Sequence, residues 1–126
     1  MTEKYDLQWY GTLTLKNVRR VAELFRELLK DKRFAIVDFN SASIDTGQRL
    51  LYKGSVADSI RVSIFRLYPK GATLYIATPD CTWVIEVDDR RLPHVVFNRD
   101  RVKITHWSDD GRELHWAFIV EPGDKR

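Results

Sequence analysis

Two histidines close to the end of this 126-residue chain are the residues best placed to do chemistry. His106 and His115 lie in a stretch, Arg101 to Val120, that alternates like two strands around Asp109-Asp110-Gly111. A two-residue Asp110-Gly111 turn sets His106 opposite His115 on one face, as a metal pair on adjacent strands requires. A three-residue Asp109-Asp110-Gly111 loop with a glycine bulge sets His106 opposite Leu114 and His115 opposite Thr105. The hydrophobic pattern favours the second register, because a one-residue slip exchanges the faces of a strand. It gathers Val102, Ile104, His106, Leu114, Trp116 and Phe118 on one face. Arg101, Lys103, Thr105, Trp107, Glu113, His115 and Ala117 take the other. That choice separates the histidines, so no metal site and no cofactor is expected.

In this register His106 enters the core. It is either a core histidine bonded to a backbone carbonyl or the polar anchor of an apolar pocket. Small-ligand sites are commonly apolar cavities with a few polar groups. The pocket reading takes His106, Trp116 and Phe118 from the hairpin and Phe25 from a helix as ligand-binding residues. On the outward face, Trp107, Lys103, Arg101 and His115 are the surface-binding candidates. There Trp107 stacks a base or an apolar group of an acidic partner. The plainer account packs Trp107 under a loop or in a subunit interface.

Other reactive residues point to less. The single cysteine, Cys81, excludes an internal disulfide and a cysteine-based zinc cage. No neighbour in sequence lowers its pKa, so it reads as a bystander thiol. Pro79-Asp80 and Glu86-Val87-Asp88 carry acids in the manner of a metal-dependent nuclease, but the gap is short and Asp88 stands where a lysine is needed. Gly54-Ser55-Val56-Ala57-Asp58 lacks the glycines and lysine of a phosphate loop. There is no G-x-S-x-G. A hydrolase or isomerase using His106 or His94 depends on the fold bringing an acid to the imidazole.

The elements that must position these residues begin with one helix. Val18, Val21, Ala22, Phe25, Leu28 and Leu29 recur at helical spacing, opposite Arg19, Arg20, Glu23, Arg26, Glu27 and Lys30. The pattern predicts an amphipathic helix over about 17–31, capped by Asn17 and laddered by Arg19–Glu23, Glu23–Arg26 and Glu27–Lys30 pairs. Before it, residues 7–15 alternate as a half-buried strand, with Trp9 and Leu13 on one face and Gln8, Tyr10 and Thr12 on the other. Strands are predicted after it at 34–39, 48–53, 59–68, 72–78, 82–87 and 94–97, and then in the final hairpin. Pro69-Lys70-Gly71 reads as a tight turn that sets Phe65 opposite Tyr75. Phe65, Leu67 and Tyr75 share a face and are the candidates for a homodimer interface.

The fold class expected is α+β. One amphipathic helix packs against a curved, mainly antiparallel sheet or partly closed roll, in the order β-α-β followed by a β-meander. Hotdog-like and cystatin-like rolls are similar in element order alone, and that likeness carries no function. One domain spans 1–126, with flexible ends at about 1–6 and 121–126. The composition, 44% hydrophobic and 31% charged, is that of a soluble globular protein. No apolar run is long enough for a membrane span and no signal peptide is evident, so a cytoplasmic location is expected. The net charge of +3 comes without a basic arm, so nucleic acid is permitted as a partner and not indicated by charge.

The function expected is a non-enzymatic binding protein. It holds a small apolar ligand or a protein partner in a helix/sheet pocket or at a dimer interface. The alternatives are a nucleic-acid binder using exposed aromatics and Arg/Lys, and a small hydrolase or isomerase of a roll-type fold.

Overall fold

The apolar stripe from Val18 to Leu29 folds as a helix, α1, and buries Val18, Val21, Ala22, Leu24, Phe25, Leu28 and Leu29. It starts and stops inside the predicted span. Asn17 does not cap it with its side chain. Instead the Asn17 carboxamide ties down the approach: its Oδ1 accepts the Thr14 N–H at 2.8 Å and its Nδ2 donates to the Thr12 carbonyl at 2.9 Å. At the other end Lys30 turns extended and Asp31 takes the left-handed conformation, φ 60°. The predicted ion-pair ladder is replaced by other contacts. Glu23 meets Arg20 at 3.7 Å, and Arg26 donates to the backbone carbonyl of Ile60. Part of the charged face therefore docks the helix on a strand.

The computed structural model describes residues 8–38, 49–54, 59–65, 71–88, 92–108 and 110–121. The strands are β1 (Gln8–Thr12), β2 (Phe34–Asp38), β3 (Arg49–Gly54), β4 (Ser59–Phe65), β5 (Gly71–Ala77), β6 (Thr82–Asp88), β7 (His94–Asn98), β8 (Arg101–Trp107) and β9 (Glu113–Val120). All pairings are antiparallel. The α+β class holds, with one helix against mostly antiparallel strands. The strands divide into two sheets: a six-stranded one in the order β1-β7-β8-β9-β2-β3, and a three-stranded one, β4-β5-β6.

The division follows from where the apolar rows fall. In the small sheet Ile60, Ile76 and Trp83 form one row, Val62, Leu74 and Ile85 the next, and Ile64, Ala72 and Val87 a third. In the large sheet Trp9, Phe97, Val102, Phe118, Ile36 and Tyr52 line up across all six strands. These two faces and the helix stripe share one hydrophobic core. Phe25 joins the layers, its ring edge-on to Phe97 at 5.1 Å and to Phe118 at 5.6 Å. At one end the Tyr52 hydroxyl donates to Asp80 Oδ2 at 3.4 Å, linking β3 to the turn after β5.

Of the two hairpin registers expected, one holds and one is corrected. The final hairpin adopts the second register, with His106 opposite Leu114 and Thr105 opposite His115. Its loop is closed by the Gly111 N–H bonded to the Ser108 carbonyl at 3.0 Å, with Gly111 at φ 87°. The β4–β5 register is corrected: Phe65 lies opposite Gly71, and Tyr75 lies opposite Arg61. The slip is an even number of residues, so it leaves the described side chains on their predicted faces, and alternation alone had no power to detect it. Leu67, the Pro69-Lys70 turn, the side chain of Phe65 and the ends 1–7 and 122–126 lie outside the described residues. Among the described residues no helix is long and apolar enough to cross a membrane.

Candidate functional site

The four residues taken from the sequence as a pocket fall in two touching pairs bridged by a fifth ring, and most of the line they form is filled core. Phe25 touches Phe118, and both are fully buried. The line continues through a residue the sequence did not single out, Trp83 on β6. Its ring lies 6.4 Å from Phe118 and 5.0 Å from Trp116, edge-on to both. Trp116 then meets His106 at 4.6 Å. Three aromatic rings, from β6, β9 and β8, thus stack edge to face at one end of the space between the sheets.

The polar atoms at this end are unusual. Trp83 Nε1 and His106 Nε2 are both buried without a hydrogen-bond partner among the described residues. His106 is only 7% exposed. Most buried polar groups in folded proteins are paired, because an unpaired one keeps its full desolvation cost. Here two of them flank the same indole. Burial pushes the His106 pKa below its ordinary value, so the imidazole is neutral near pH 7. Its Nε2 can then donate or accept, whereas the Trp83 N–H only donates. Trp83, Trp116 and Leu114 are half-buried, so part of each side chain reaches the surface at this end. Asp38, on the row of Trp116, places a half-buried carboxylic acid on the same face.

The outward face of the hairpin carries the second group of candidates. Arg101 and Lys103 are exposed, and Trp107 and His115 are half-buried. His115 Nδ1 lies 3.3 Å from the Thr105 hydroxyl, and its Nε2 lies 3.6 Å from Glu113 Oε1. The order hydroxyl, imidazole, carboxylate is that of a nucleophile relay. The carboxylate gap is too long for a hydrogen bond, and Glu113 is exposed, so the row reads as a cross-strand polar cluster. Among the described residues no group of three His, Cys, Asp or Glu is placed to hold a metal ion. Cys81 sits half-buried in the turn after β5, its sulfur 3.5 Å from the Thr78 hydroxyl, which is no base. Tyr75 is half-buried with the Arg61 guanidinium 4.5 Å from its ring centre.

No protein-family model matches the chain, and neither a curated protein nor a solved structure shows significant similarity to it. Trp83 escaped the sequence reading because its contacts cross from one sheet to the other. Only its type, an indole in a short strand, was visible.

Proposed function

We propose that this is a binding protein for a small, largely apolar molecule carrying at least one hydrogen-bond acceptor. One observation carries the reading: the two unpartnered buried nitrogens, Trp83 Nε1 and His106 Nε2, on either side of Trp116. An apolar wall with a few convergent polar groups is what small-ligand sites are made of. The Trp83 N–H asks for an oxygen acceptor. The neutral His106 Nε2 takes either a second acceptor or a hydroxyl. A flat ring bearing a carbonyl, carboxyl or hydroxyl group fits these demands, its body against the Trp116 indole.

The test is a titration followed by indole fluorescence and by melting temperature. The panel is small cyclic and aromatic ketones, phenols and carboxylic acids, with hydrocarbons of matched size as controls. Oxygen-bearing members are expected to bind and to raise the melting temperature, and matched hydrocarbons to bind about tenfold more weakly. Trp83→Phe and His106→Leu each remove one bond and weaken binding by a similar factor. A panel with no binder, or binders indifferent to both substitutions, would sink the reading.

A further inference from the structure

A second surface stands apart from the interlayer site. Pairing of β1 with β7, and of β7 with β8, places Tyr10 beside Val96 and Val96 beside Lys103 on the outward face of the large sheet. Tyr10 is 78% exposed, more than any other large hydrophobic residue described. Thr12, His94 and Thr105 form the neighbouring row on one side, and Gln8, Asn98 and Arg101 the row on the other. No outward position of these three strands is an acid. The exposed platform ends at β9, where Ala117 is buried on the same face. Glu113 on β9 carries the first acid across the sheet, facing His115, and Asp100 lies in the turn between β7 and β8. An open groove of about 500 Å³ beside the exposed ring is lined by Gln8, Trp9, Tyr10, Val96, Phe97 and Asn98.

We infer that this platform binds single-stranded nucleic acid, with a base stacked on Tyr10 and the phosphate backbone on Arg101 and Lys103. Charge complementarity selects the occupant: three strands whose outward positions carry Arg101, Lys103 and amides, and no acid, suit a polyanion. The ring selects the single strand. An unstacked base offers Tyr10 a π-face, whereas a duplex hides its bases and meets no helix or ribbon here that could enter its groove. Tyr10 and Lys103 stand two strands apart, about 10 Å, so one ring and one cation serve adjacent parts of the same strand. A protein partner fits less well, because interface cores are depleted in charge, and here one ring and one valine are surrounded by polar groups. Trp107, half-buried at the end of β8, is a flank of the platform, and Tyr10 is its stacking residue.

Fluorescence anisotropy with labelled oligo(dT) and oligo(U) of about 15 nucleotides tests the inference. Both are expected to bind, more weakly as salt rises from about 50 to 200 mM. Lys103→Ala or Arg101→Ala reduces the salt slope by about one contact each. Tyr10→Ala, at an exposed position, leaves the melting temperature unchanged and weakens binding by about 5- to 100-fold. Binding of either strand supports the site, and the ratio of the two affinities separates a DNA from an RNA ligand. Three results would overturn it: no salt-dependent binding, wild-type affinity in Tyr10→Ala, or equal binding of a duplex or heparin. The interlayer residues Trp83 and His106 take no part, so their substitution leaves this affinity unchanged.

Discussion

A polar atom held out of water without a partner costs a fold about 1–3 kcal/mol, and His106 Nε2 is such an atom among the described residues. Its persistence beside Trp116 makes sense if stability is traded for a ligand contact, as binding sites commonly do. Two outcomes follow at this scale. His106→Leu keeps the volume and removes the unpaired nitrogen, so it is expected to raise stability by about 1 kcal/mol while weakening ligand binding, as checked by denaturant titration. The second concerns pH. The folded-state pKa of His106 lies below its ordinary value of 6.5, so the unfolded chain binds the extra proton first. The contribution of His106 to stability is therefore fully present above pH 6.5 and is lost as pH falls toward the lowered folded value. Melting curves between neutral and mildly acid pH should show this loss in the wild type and a smaller one in His106→Leu. Tyr10 makes the contrasting case, since its ring is mostly in water and its removal touches no core contact.

Among the elements, the small sheet is the least tolerant of added volume at Gly71. A Cβ built there would sit 2.9 Å from the Val87 backbone carbonyl on the neighbouring strand. Gly71→Ala must push β5 from β6, with an expected loss of about 1–3 kcal/mol measured by chemical denaturation. The turn of the final hairpin has its own electrostatic clasp. The Ser108 hydroxyl and the Arg112 N–H hold the Asp110 carboxyl below the usual carboxylate range. Its grip is thus complete above that range and loosens as acid protonates it. Asp110→Ala is expected to speed hydrogen exchange at the Arg112 N–H without moving the global melting temperature. Elements such as α1 and this hairpin were legible in the sequence because each has one wet and one dry face, and the dry face permits only one phase or register. The β4–β5 register was not, because a four-residue slip preserves both faces. The interlayer site was half legible for the same reason. Alternation put His106, Trp116 and Phe118 on one side, but nothing local announces that Trp83 on another sheet closes over them. Tyr10 was read as the polar side of a lone strand, since its pairing with Val96 spans most of the chain.

At the scale of the whole molecule, the six-stranded sheet interleaves the two halves of the chain. The early strands β1 and β2 have no ladder with each other; β1 pairs with β7, and β2 pairs with β9. β9 stands between β8 and β2, so it alone joins the β1-β7-β8 side to the β2-β3 side within that sheet. A chain ended at Arg112 is expected to lose cooperative unfolding and its near-ultraviolet circular dichroism, because Phe118 and Trp116 leave with the strand. Pairings of such long range place refolding in the millisecond-to-second range, which stopped-flow tryptophan fluorescence measures. The strand order also has a consequence for the ribosome. α1 and β2 emerge early, yet the β9 strand that carries Phe118, the ring packed against both Phe25 and Phe34, emerges last of the sheet. Through most of translation the helix therefore carries an apolar stripe with half its cover missing, which is the kind of surface that general chaperones hold.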